Sequence, residues 1–293
     1  MSRMDILQNS ANKSVEKEEV SACLMRADDG SWVGNYRGYV LKSAFQPIFR
    51  FIGGKLRPVA FEGLLRPQIG ETPILPGAFF GQLDPDQVGL VEAVARTLHV
   101  RNAASLPAQA RQLFLNFDPA ALSSKSTFEK MIDDLGTELR ASDIMPSACV
   151  CEIIESAAKS KEDLNYFVYS LRARGYHIAV DDFGAESSNM ERIADLTPDI
   201  VKLDGPMVKK LMDSPDGYKQ LKSLIAHFKE LRIQVVAEGL EALWQIEMAE
   251  NAGAEMVQGF AAAMPRLVPA DFSEWFQGTK TYPMPSFGYP VAR

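Results

Sequence analysis

His177-Ile178-Ala179-Val180-Asp181-Asp182-Phe183-Gly184 is an apolar run that ends abruptly in two carboxylates and a glycine turn. It reads as a buried strand that delivers its last side chains to a pocket. The same design recurs in Phe61-Glu62, Leu115-Asn116, Val150-Cys151-Glu152, Val201-Lys202, Val236-Ala237-Glu238 and Val257-Gln258. Seven β-like segments thus each end in a carboxylate, an amide or a lysine. A parallel (β/α) barrel gathers side chains from the C-terminal ends of different strands into one pocket. Five carboxylates collected there would repel one another unless metal ions sat among them.

The rest of the chain is consistent with that fold. Val40 to Phe49 reads as a strand, Gly53-Gly54 as a turn and Pro58 to Leu65 as a returning strand, so the first two strands form an antiparallel hairpin. Asp84-Pro85-Asp86 starts a helix, with Val88, Val91, Val94 and Leu98 at helical spacing. Further helices are expected over 128–139, 160–175, 188–196, 217–231 and 241–251. They alternate with strands over 112–117, 148–154, 177–182, 200–203, 233–238 and 254–258. This alternation predicts an α/β chain forming a closed (β/α)8 TIM-like barrel with an antiparallel first strand. The barrel is expected over residues 37–280, after a polar leader of residues 1–36 and before an irregular tail, 281–293, that contains Tyr282-Pro283-Met284-Pro285.

Composition narrows the function. The 293 residues suit one barrel of about 250 residues with short extensions. A net charge of −7 argues against a nonspecific nucleic-acid binder, so no DNA or RNA duplex is expected as a partner. No apolar run approaches the roughly 18 residues of a membrane span, and the first residues lack the apolar core of a signal peptide. Three cysteines, Cys23, Cys149 and Cys151, fit a reducing compartment, and a cytoplasmic location is expected. Cys149 and Cys151 read as small apolar packing residues. His99, His177 and His227 stand isolated, so neither a histidine metal site nor a Ser-His-Asp triad is supported.

Phe45-Gln46-Pro47-Ile48, Phe61-Glu62-Gly63-Leu64-Leu65-Arg66, Asp181-Asp182-Phe183-Gly184, Lys202-Leu203-Asp204, Ala237-Glu238-Gly239-Leu240-Glu241 and Gln258-Gly259-Phe260 occur in that order. Together they resemble the EAL domain, the cyclic di-GMP phosphodiesterase family, from about Tyr39 to Pro265. The resemblance implies two Mg²⁺ or Mn²⁺ ions held by Glu62, Asn116, Glu152, Asp181, Asp182 and Glu238. Asp181 would bridge the ions, Lys202 would stand near the attacking water, and Glu238 would serve as ligand or base. It implies substrate contacts from Gln46, Arg66, Asp204 and Gln258, with Glu155 and Glu241 steadying nearby loops. The implied substrate is cyclic di-GMP and the product linear pGpG. A homodimer is implied too, with regulation through the leader, oligomerisation or a separate regulatory protein.

Two departures bear on this resemblance. Gly63 replaces the usual alanine of the namesake motif, and Ala185-Glu186-Ser187-Ser188-Asn189 replaces the usual Thr-Gly-Tyr-Ser-Ser loop. They keep open an alternative in which the domain binds the nucleotide, or a protein partner, without turning it over. A third alternative is a different metal-dependent barrel acting on another phosphodiester or on an enolisable acid.

Overall fold

The computed structural model describes residues 18–277, apart from 108–109, 111, 120–123, 154–159 and 186–189. Its strands are β1 (Leu24–Arg26), β2 (Trp32–Tyr36), β3 (Tyr39–Ile52), β4 (Lys55–Ile69), β5 (Thr72–Pro73), β6 (Gln112–Phe117), β7 (Cys149–Ile153), β8 (His177–Phe183), β9 (Ile200–Leu203), β10 (Gln234–Ala237), β11 (Met256–Val257) and β12 (Arg266–Leu267). The helices used below are α1 (Pro76–Phe80), α2 (Pro85–Asn102), α3 (Lys125–Ala141), α4 (Lys161–Ala173), α5 (Met190–Leu196), α6 (Gly205–Met212), α7 (Pro215–Glu230) and α8 (Leu243–Ala252).

The sheet closes on itself through β3-β11-β10-β9-β8-β7-β6-β4 and back to β3. Seven of these eight strands are parallel to one another, and β3 runs against both of its neighbours. The hairpin that reverses β3 is the expected one. Gly53 (φ 59°) and Gly54 (φ 70°) both adopt the left-handed backbone that a two-residue turn between twisted strands demands. Each barrel strand contributes one residue to a single apolar plug: Ile48, Ala60, Phe114, Val150, Ala179, Ile200, Val236 and Met256. A larger core lies between the strands and the surrounding helices, and it takes in Cys149 and Cys151.

β3 and β4 are long, 14 and 15 residues, and continue past the barrel as a paired arm (Val40↔Gln68, Lys42↔Arg66). β2 and then β1 pair on one side of this arm and β5 on the other. Beneath it, α2 closes a second core of Leu24, Tyr36, Leu41, Leu65, Phe79, Val91, Val94, Ala95 and Leu98. The polar leader expected over 1–36 therefore needs correction. Residues 1–17 lie outside the described residues, but 24–26 and 32–36 are strands of the sheet. They are 3 and 5 residues long, and only their inward side chains, Leu24 and Tyr36 among them, are buried. So brief an apolar alternation is lost among polar outward residues.

The strands expected at 112–117 and 200–203 form over those residues, whereas the last barrel strand shrinks to 256–257. Helix α6 was not expected, although Asp204 caps it and Pro206 stands in its first turn. Phe114 is fully enclosed in the plug. Phe114→Ala is expected to cost about 3–5 kcal/mol in denaturant unfolding, because neighbouring strands of a closed barrel cannot collapse into the cavity.

Candidate functional site

Side chains alternate along a strand, so the residue two positions on points the same way, one step along the barrel axis. Applied to the plug, this step turns Ala60 into Glu62, Phe114 into Asn116, Val150 into Glu152, Ala179 into Asp181, Ile200 into Lys202, Val236 into Glu238 and Met256 into Gln258. In the antiparallel β3 the step runs backwards, from Ile48 to Gln46, which is paired with Glu62 across the ladder. All eight strands thus place a polar residue one layer above the plug. Most of these residues open onto a cavity of about 300 Å³ lined by Gln46, Glu62, Asp181, Asp182, Lys202, Glu238, Gly239, Glu241, Gln258, Gly259 and Phe260.

Lys202 is the hub. Its Nζ lies 2.5 Å from Glu152 Oε1, 2.8 Å from Glu238 Oε1, 3.0 Å from Asp181 Oδ1 and 3.6 Å from Glu62 Oε2. Burial opposes the charge on Lys202, but Asp181, Glu152, Glu238 and Glu62 together prevail and hold its pKa well above the usual lysine value. One ammonium cannot balance four carboxylates. Burial, reinforced by Glu62 and Asp181 against the pull of Lys202, drives Glu152 well above the carboxylate range. Burial likewise pushes Glu238 up to about 8, with Lys202 opposing and Asp181 adding. Asp182 is raised by burial and by its neighbour Asp181. Gln258 Nε2 donates to Glu62 Oε2 at 2.8 Å and fixes that carboxylate.

Adjacent residues of a regular strand face opposite ways, yet both aspartates reach the cavity. The β8–β9 register shifts between Val180 and Phe183, and Asp182 sits in the left-handed region at φ 52°. This bulge re-aims the second side chain. Carboxylate oxygens of Asp181, Asp182 and Glu238 consequently lie within 4.8 Å of one another. Glu152 Oε2 is buried with no hydrogen-bond partner, and the buried Glu152 Oε1 and Asp181 Oδ1 have only the shared Lys202 ammonium beside them. Carboxylate oxygens crowded around a single ammonium, with more acceptors than donors, fit a hard divalent cation.

The other expected site residues divide. Gln46 lines the cavity and donates from Nε2 to the Ala263 carbonyl at 3.2 Å. Asn116 occupies its place in the layer, level with Glu152 in the ladder, but is not among the cavity-lining residues. Arg66 is four residues beyond Glu62 on the arm and also lies outside the lining; its Nη1 donates to the Leu65 carbonyl at 2.9 Å. Asp204, expected to touch substrate, accepts the Met207 N–H at 2.9 Å through Oδ2 as the cap of α6 and is not among the cavity-lining residues. Glu241 lines the mouth and pairs with Lys209 at 2.7 Å. Glu155, Ile154 and loop residues 186–189 lie outside the described residues.

Phe260, to which the sequence motif assigns no role, lines the cavity as an exposed aromatic. The histidines are not all isolated. His99 Nδ1 is 2.8 Å from Ser43 Oγ, and His177 Nδ1 is 3.6 Å from Asp199 Oδ1. Both partners are distant in sequence, so only the fold reveals them. Among the described residues, no helix is long and apolar enough to cross a membrane.

A family model, the EAL domain, matches residues 37–265. The chain is 29% identical over 231 residues to the cyclic di-GMP phosphodiesterase RocR of Pseudomonas aeruginosa, covering 75% of this chain and 56% of that protein. It is 33% identical over 124 residues to the probable cyclic di-GMP phosphodiesterase PdeA of Escherichia coli, covering 42% of this chain and 17% of the relative. Among solved structures, Klebsiella pneumoniae BlrP1 in a calcium and cyclic di-GMP complex superimposes with a TM-score of 0.68 at 25% identity, over 78% of this chain and 56% of that one. The chain therefore spans at most a little over half the length of these relatives.

Lys202→Met is expected to destabilise the chelator-treated protein by about 3–5 kcal/mol in denaturant unfolding, since removing one partner of a buried ion pair strands the others. Added divalent ions should restore part of that loss.

Proposed function

The chain belongs to the EAL-domain family, and on that premise we propose that it is a metal-dependent phosphodiesterase hydrolysing cyclic di-GMP to linear pGpG. The observation that carries the reading is the layer of eight strand-borne polar residues, in which hard oxygen donors surround one buried ammonium. The names of RocR and PdeA and the ligands of BlrP1 support it.

In this reading Glu62, Asn116, Glu152, Asp181, Asp182 and Glu238 hold two Mg²⁺ or Mn²⁺ ions. When bound, such ions supply Lewis acidity, offsetting the charge of the phosphodiester and acidifying water. The chain's own residues do the rest. Gln258 keeps Glu62 in one orientation through their 2.8 Å hydrogen bond. Lys202, held protonated by its carboxylates, keeps a positive charge at Nζ beside the place where negative charge develops. Glu238 stands 2.8 Å from that ammonium, which places its carboxylate to act as ligand or as base beside the same charge. Gln46, anchored on Ala263, offers an amide to the substrate at the cavity wall. Arg66 would reach a phosphate oxygen only from the arm above the cavity.

Purified protein given cyclic di-GMP with Mg²⁺ or Mn²⁺ is expected to yield pGpG, resolved by chromatography. Chelator should abolish turnover, and Glu62→Ala should lower it by on the order of a hundredfold or more. Nucleotide that binds but stays intact under every metal condition would mark the domain as a binding module instead.

Metal uptake should also be linked to protons. Without metal, Glu238 is held up to about 8, so below that pH it carries a proton that a cation must displace. Mn²⁺ affinity measured by calorimetry is expected to rise from pH 6.5 towards 8 and to flatten above it. Affinity that does not change with pH would overturn this linkage between metal uptake and the Glu238 proton.

A further inference from the structure

Glu62 is supported from behind as well as from the cavity. Because side chains on β4 alternate, Gly63 faces away from the cavity. There it meets His99 of α2. A Cβ placed on Gly63 would lie 2.9 Å from His99 Cγ, 3.0 Å from Cδ2 and 3.1 Å from Cβ. These atoms belong to the stem and base of the ring rather than to a flexible tip. No side chain fits at residue 63 while the imidazole keeps its place.

The imidazole is held in that place. His99 is buried, and burial, with Arg66 and Arg96 adding, lowers its pKa to about 3, so the ring is neutral. Its Nδ1 lies 2.8 Å from Ser43 Oγ on β3. Asn102, three residues further along α2, donates from Nδ2 to Ser43 Oγ at 3.2 Å and to the Trp32 carbonyl at 2.9 Å. Its Oδ1 accepts the Trp32 N–H at 2.8 Å. The ring also stands edge-on to Phe45, at 6.2 Å between centroids, and Phe45 is the ladder partner of Gly63.

We propose that His99 is a positioning residue for Glu62. The imidazole fills the space that a side chain at residue 63 would need and fixes the seat of β4 against α2. It thereby sets where Glu62 stands relative to Gln258 and Lys202. This rests on the reading of Glu62 as a metal ligand. The network ends on Trp32 of β2, so strands that precede the matched family segment are tied to that ligand.

The test is the Mn²⁺ affinity of the full chain, measured by calorimetry where circular dichroism shows each variant folded. Gly63→Ala is expected to weaken Mn²⁺ binding about fivefold by displacing the ring. Adding His99→Ala to it should bring binding back to within about twofold of the native value, a coupling ordinary for residues in contact. Should Gly63→Ala fail to fold, Ser43→Ala, which frees the ring to turn, is expected to weaken binding about fivefold. Folded variants that lose thermal stability but bind Mn²⁺ like the native chain would overturn the positioning role. Glu62→Ala separates the two readings. If it too binds like the native chain, the metal-site reading fails; if it alone loses binding, only the role of His99 falls.

Discussion

One buried ammonium, that of Lys202, lies within 4 Å of four carboxylates, and the architecture of the site follows from keeping that arrangement out of water. The plug beneath closes the barrel to solvent from below, so hydration reaches the charges only from the cavity side. Charges so enclosed stabilise nothing by themselves. Desolvation opposes each of them, and their mutual attraction only returns part of the cost. Such a cluster is better understood as a site maintained at the expense of the fold. The upward shifts of the Glu152 and Glu238 carboxyls record that expense, and perturbed groups of this kind cluster at functional sites.

Much of this site was legible because parallel barrel strands are buried on both faces. Their sequences are nearly continuous apolar runs, so a terminal Glu, Asn, Asp, Lys or Gln stands out. Seven of the eight positions in the layer were visible for that reason. The eighth, Gln46, precedes the plug residue of its strand instead of following it, because β3 is reversed. Only the family resemblance pointed to it. The plug itself was hidden, since nothing in an apolar run says which residue faces the barrel axis.

What stayed illegible depends on backbone geometry. A two-residue period sends Asp181 and Asp182 to opposite faces, and the bulge that brings them together leaves no mark on composition. Asp204 ends a strand just as the ligands do, but the N–H groups of α6 begin at once and claim its carboxylate. Gly63 reads in sequence as a mild weakening of a strand. In the fold it is a steric requirement imposed by His99, which is 36 residues away along the chain. Strands β1 and β2 are too short to announce themselves, and one of their faces is solvated.

The reversal of β3 has a consequence for the direction from which the barrel can be acted upon. In an all-parallel barrel every strand is entered from the closed end, and the chain reaches the open end only after crossing the core. Here the chain enters β3 at the open end, and the strands before it, β1 and β2, are laid on the arm that extends beyond the polar layer on that side. Chain polarity alone therefore puts β1 and β2 at the open end of the barrel. A displacement of β2 would pass along the β3–β4 ladder, which runs straight to the Gln46–Glu62 pair, and need not be transmitted through the barrel wall.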